Sequence, residues 1–144
     1  MAELTITRRI DAPPEAVFDT LTDARRYPDY TPIRRVEMER EGEGDPNGPE
    51  AIRALHLIGP PVRERVLVHE RPRRFDFEVL SGGGPARTYI GRQAFAAEDG
   101  GTRVTYAIEL EPRVPGTGLA VAAGVRGAVE LLMRLAGPEA RKRA

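Results

Sequence analysis

The chain has 144 residues, enough for one domain with a sizeable core. Lys plus Arg and Asp plus Glu number 22 each, so the formal net charge is zero and gives no general attraction to nucleic acid or to an anionic membrane. Cysteine is absent, which excludes disulfides, thiolate metal sites and cysteine nucleophiles.

The N-terminus, Met1 to Ile6, has no basic flank before an apolar run, so no signal peptide is expected and a cytoplasmic protein is the simplest reading. Leu4 to Ile10 alternates with apolar residues on even positions, apart from Arg8, the period of a half-buried strand. Asp11-Ala12-Pro13-Pro14-Glu15 supplies an acidic cap candidate, prolines suited to a first turn and an acid favoured by the helix dipole. Val17, Phe18 and Leu21 follow at helical spacing and predict a short amphipathic helix over 13–23. Residues 23–32, with Tyr27-Pro28 and Tyr30-Thr31-Pro32, read as a second helical turn and a loop.

Strands follow. Ile33 to Glu41 places Val36 and Met38 on one face, and the glycines and prolines of 42–49 make a turn. Glu50 to Ile58 and Val62 to Glu70 are two strands parted by Gly59-Pro60-Pro61. Phe75, Phe77 and Val79 alternate with Asp76 and Glu78, and Ser81 to Pro85 breaks the chain again. Two longer strands, 86–97 and 102–112, are joined by Asp99-Gly100-Gly101, which tolerates the positive φ angles of a tight hairpin. The second has the clearest alternation, with Val104, Tyr106, Ile108 and Leu110 on the face expected to be buried. The last element is a helix over 117–136 with a stripe of Val121, Val125, Val129 (or Ala128), Leu132 and Leu135; Gly137-Pro138 should end or kink it, leaving Arg141-Lys142-Arg143 as a frayed tail. Arg126, Glu130 and Arg134 interrupt its apolar run, so no spanning helix and no stable membrane insertion is expected.

The segment Ile10 to Phe18, followed by Asp23 and Tyr27-Pro28, resembles the opening of the polyketide cyclase/dehydrase-like branch of the START/Bet v 1 (SRPBCC) superfamily. Val66-Leu67-Val68 through Glu70-Arg71-Pro72-Arg73-Arg74-Phe75, the Gly101 to Tyr106 run and the closing helix agree with it, so the resemblance covers nearly the whole chain. It implies an α+β helix-grip fold in one ligand-binding domain, residues 1–144. In that fold a seven-stranded curved antiparallel sheet grips the long helix, and two short helices follow the first strand. A strongly bent sheet cannot lie flush on a straight helix, and Val121 to Ala128 is rich in Val, Ala and Gly, so a cavity is expected between them.

Candidate site residues follow from parity and chemistry. Phe77, Tyr89 and Tyr106 on the sheet, Gly124, Val125 and Ala128 on the helix, and Tyr27 and Tyr30 near the mouth are expected to bound the cavity. His56 turns inward if Ile52, Ala54 and Ile58 do, and outward if Leu55 and Leu57 face in. His69, at a strand end, is expected to be exposed. Glu64 shares parity with Val62, Val66 and Val68; buried, it needs a partner such as Arg53, Arg87 or Arg92, and otherwise it forms a rim ion pair. Inward-facing, His56 and Glu64 would be polar anchors or an acid–base pair. No metal site and no cofactor is indicated, since two histidines on separate strands are a poor ligand set. The partner expected is a small hydrophobic molecule bound by a monomer or homodimer. Three functions fit: a binder or carrier of a lipid-, polyketide- or quinone-like ligand, a polyketide cyclase/aromatase or dehydratase-like enzyme, and a protein-interaction domain with a filled cavity.

Overall fold

The computed structural model describes residues 2–144. Strand β1 (Ala2–Ile10) leads into helix α1 (Pro14–Thr22) and a 3-10 turn (Ala24–Asp29). Six strands follow: β2 (Arg35–Arg40), β3 (Ile52–His56), β4 (Val62–Glu70), β5 (Arg74–Ser81), β6 (Ala86–Glu98) and β7 (Gly101–Pro112). Helix α2 (Gly118–Arg143) closes the chain. All seven strands form one antiparallel curved sheet in the order β1-β7-β6-β5-β4-β3-β2, the arrangement of a helix-grip fold.

The turn chemistry sets the β6–β7 hairpin. Glu98 pairs with Gly101, leaving Asp99 and Gly100 as a two-residue loop, both at positive φ (47° and 80°), which matches the twist of the flanking strands. This register turns Val104, Tyr106, Ile108 and Leu110 to the concave face, where all four are buried among α1, α2 and the rest of the sheet. Arg8, the polar exception in β1, shares that face and forms an ion pair with Glu130 of α2.

Helix α1 is buried through Ala16, Val17, Phe18, Thr20 and Leu21. Pro13 is its N-cap and makes no side-chain cap, whereas the expected cap Asp11 accepts from Arg9 instead (2.6 Å). Its C-terminus leaves carbonyls without intrahelical partners. Side chains from elsewhere satisfy three in a row: Tyr30 Oη donates to Thr20 O, Tyr27 Oη to Leu21 O (2.6 Å), and Arg53 Nη1 to Thr22 O (2.6 Å). A guanidinium there also complements the negative end of the helix dipole.

Helix α2 runs through Gly137-Pro138 rather than ending there. Ala136, Gly137 and Ala140 are buried, so the helix stays packed through this stretch despite the hydrogen bond that Pro138 cannot donate. Arg141, Lys142 and Arg143 therefore belong to the helix, where Lys142 and Arg143 each lie 3.8 Å from Glu139. The deepest stripe is Val121, Val129, Met133, Ala136 and Ala140; the expected Val125, Leu132 and Leu135 are only half-buried. For Val125 and Leu132 the reason is the space left between helix and sheet.

Candidate functional site: an apolar cavity between sheet and helix

That space is a cavity of about 290 Å³. The concave face contributes Val62, Glu64, Phe77, Val79, Tyr89 and Tyr106; the helix contributes Val125, Ala128, Val129 and Leu132; Gly82 and Gly83 of the β5–β6 loop complete it. Glu64, Phe77, Tyr106 and Val129 are buried and make its floor, whereas Ala128 is exposed and stands at the lip. A second apolar groove of about 240 Å³, lined by Ile33, Leu57, Leu131 and Leu135 among others, shares Ala128 and Leu132 with it. At the cavity, Phe77 stacks on Tyr89 (centroids 5.9 Å apart) and meets Tyr106 edge-on at 6.4 Å.

Glycine at position 91 makes this ring arrangement fit. A Cβ there would lie 2.6 Å from Phe77 Cε1 and 3.2 Å from Tyr106 Cε1, so any side chain would displace the Phe77 ring. Sequence reading missed Gly91; a glycine inside a strand is the signal that could have found it. Val62, Val79, Val129 and Leu132, which strand and helix spacing places on the same faces as the expected site residues, also line the cavity although they are not among the expected site residues.

Three polar side chains enter the cavity. Glu64 Oε1 accepts from Arg53 Nη2 at 2.7 Å, so of the three candidate partners the structure selects Arg53, directly across the β3–β4 ladder. Arg53 is 1 % exposed, and besides Glu64 and Thr22 O it donates to Asn47 Oδ1 (3.2 Å) and, at 3.5 Å, to Tyr27 Oη. Its guanidinium sits over the rings of Phe75 (5.1 Å) and Tyr27 (5.6 Å), a cation–π contact on each. The other two polar groups are the hydroxyls of Tyr89 and Tyr106, 3.5 Å apart, a long hydrogen bond in which either can donate. Burial pushes the Tyr89 phenol up to about 12, against the opposing hydrogen bond from Tyr106. Burial likewise holds Tyr106 well above the ordinary tyrosine value, so both rings stay neutral near pH 7.

Several expected site residues lie elsewhere. Arg53 and Leu55 are the inward residues of β3, because they pair with Glu64 and Val62; His56 is therefore on the outer face. Its Nε2 is 2.9 Å from Glu37 Oε1, but the geometry is not that of a hydrogen bond, so this is an electrostatic contact. His56 and Glu64 occupy opposite faces and cannot act as a pair. His69, expected to be exposed, is turned in: an irregularity between Val66 and Val68 shifts the parity of β4, so His69, paired with Phe75, packs edge-on against Phe18 (5.3 Å). Tyr27 and Tyr30 are not at the mouth; their hydroxyls cap α1. Gly124 is exposed, since a step of one residue from Val125 rotates it away from the sheet. Phe77, Tyr89, Tyr106, Val125, Ala128 and Glu64 do line the cavity together.

Among the described residues, no helix is long and apolar enough to cross a membrane, and no group of three or more His, Asp or Glu is placed to hold a metal ion.

A curved antiparallel sheet that grips its C-terminal helix across an apolar cavity defines a helix-grip protein of the START/Bet v 1 superfamily. More particularly, the chain belongs to the family described as polyketide cyclase/dehydrase and lipid transport, whose model matches residues 1–136. No curated protein matches the sequence. The fold is similar to that of Ara h 8.0201 (TM-score 0.82, 13 % identity, 98 % of each chain covered). It is also similar to a START superfamily protein from Mycobacterium smegmatis (TM-score 0.81, 13 % identity, 99 % of each chain). The Zhui aromatase/cyclase from Streptomyces sp. R1128 is similar at TM-score 0.75 and 19 % identity, over 99 % of this chain and 94 % of that one.

Proposed function

We propose that residues 1–144 act as one ligand-binding domain that holds or carries a small hydrophobic molecule between the sheet and α2. One observation carries this reading: the cavity is open and apolar, and each of its few polar side chains is held by one protein partner, Glu64 by Arg53 and Tyr89 by Tyr106. A site of that kind orients a ligand without needing to react with it. Neither histidine lines it, so the usual proton shuttle near neutral pH is missing from the cavity wall. Its volume is at the lower end of the roughly 300–1,000 Å³ typical of small-molecule pockets, which favours a compact ligand over a long two-chain lipid. The open space argues against a filled-cavity interaction domain.

A second reading, a polyketide cyclase or dehydratase-like enzyme, is favoured by one feature: a carboxylate and two neutral phenols share the cavity. Such catalysis can rest largely on holding a flexible chain in a folded pose. Native mass spectrometry of the protein purified from its own host tests both. A carrier retains one intact small molecule per chain, whereas an enzyme converts an added poly-carbonyl substrate in multiple turnovers. A protein that carries nothing and converts nothing contradicts both readings.

A further inference from the structure

The floor of the cavity has a directional chemistry that the apolar walls do not. Glu64 uses one carboxylate oxygen to receive Arg53. Its Oε2 accepts no hydrogen bond among the described residues, yet it is not sealed off, and the open space that Glu64 lines is the cavity. This acceptor therefore faces the cavity. No arginine or lysine lines the cavity beside it. Arg53 cannot swing out to serve a ligand, because Thr22 O, Asn47 Oδ1 and Glu64 hold it from one side to the other and Phe75 and Tyr27 cover its faces. The nearby hydroxyls of Tyr89 and Tyr106 are neutral and can each donate or accept.

From this geometry we propose that the cavity floor recognises a ligand hydroxyl, with Glu64 Oε2 as its acceptor. The ligands selected are neutral apolar alcohols or phenols, not free carboxylic acids. A phenol or alcohol supplies the proton that Oε2 lacks, and its oxygen can accept in turn from a tyrosine hydroxyl. A ligand carboxylate supplies no proton near pH 7 and would set a second negative charge against Glu64, with Arg53 pinned behind it. An ether or plain hydrocarbon fills the space but leaves the acceptor unused. Glu64 is then a specificity-determining residue rather than a reacting one. This assignment rests on the cavity being a ligand site.

Three probes of one shape test it by calorimetric titration at pH 7: 2-naphthol, 2-methoxynaphthalene and 2-naphthoate. The wild-type protein should bind 2-naphthol at least tenfold more tightly than 2-methoxynaphthalene, a difference of about 1.4 kcal/mol. It should bind 2-naphthoate most weakly. Glu64→Gln should lose most of the naphthol preference, leave 2-methoxynaphthalene within about twofold, and bind 2-naphthoate better than wild type does. The ranking on the wild-type protein is decisive by itself, so a misfolded variant does not spare the assignment. Equal binding of naphthol and its methyl ether, or tightest binding of the carboxylate, overturns hydroxyl recognition while leaving the cavity a binding site. If none of the three binds, the ligand-site reading falls with it.

Discussion

Arg53 is the most informative residue to remove. It is fully buried, caps α1 through Thr22 O, and neutralises Glu64, so Arg53→Met leaves a carboxylate and a helix-terminal carbonyl without their donor. Removing one member of a buried ion pair costs about 3–5 kcal/mol. That is a large share of the roughly 5–15 kcal/mol by which a domain is stable. Glu64→Leu should cost a comparable amount, because it strands the guanidinium. The double variant Arg53→Met/Glu64→Leu removes both charges from an apolar setting, so it should be only about 1–3 kcal/mol below wild type, the remaining cost being the unpaired Thr22 O, since Asn47 Oδ1 keeps the Ala24 N–H. Urea unfolding of all four proteins, with the slope unchanged, gives the cycle. The single costs should exceed the double by at least about 2 kcal/mol. A loss below about 1 kcal/mol for Arg53→Met, or strictly additive singles, would refute the coupling inferred between these two groups.

Ile108→Ala should cost about 2–4 kcal/mol in the same assay, since Ile108 is 1 % exposed on a strand paired on both sides; a loss under about 0.5 kcal/mol would mean the register is wrong. Gly91→Ala should cost about 1–3 kcal/mol and shrink the cavity, because its Cβ would stand 2.6 Å from the Phe77 ring; a neutral change in melting would contradict that contact. Stability should be lost in alkali. The unfolded tyrosines give up protons near 10.0, while burial holds Tyr89 neutral to about 12, so the contribution is fully present below pH 10 and falls away as the pH rises toward 12. Tyr89→Phe should flatten that fall between pH 10 and 12, measured as the shift in urea midpoint, and an unchanged slope would count against it.

The parts of the fold that sequence made legible are those where each local signal agrees. The β7 alternation, the Asp99-Gly100-Gly101 turn and the early proline-led helix each have one cause and one reading. Element order and the family resemblance followed from them. The site was legible where bulky residues sit on unambiguous strands: Phe77, Tyr89 and Tyr106. It was not legible on β3 and β4. The inward face of β3 includes a charged Arg53, against the usual expectation for a core position, and the irregularity in β4 reverses parity within the strand without a marker residue. Tyr27 and Tyr30 misled for a related reason. Their aromatic bodies suit a binding mouth, but their hydroxyls are consumed by the carbonyls at the end of α1, a demand visible only once the helix end and the tyrosines share a neighbourhood. Gly137-Pro138 reads as a stop, but the helix runs past it with Ala136 and Ala140 buried on its packed face.

The central claim is that a small apolar molecule occupies the space between α2 and the sheet. Fluorescence titration with the neutral probe N-phenyl-1-naphthylamine tests it most directly, on wild type and on Val125→Trp, where a half-buried helix residue facing the cavity becomes a plug. Wild type should bind one probe per chain, and Val125→Trp should bind at least tenfold more weakly with its unfolding midpoint unchanged. Binding that survives the plug unaltered, or several probes bound per chain, would contradict the claim.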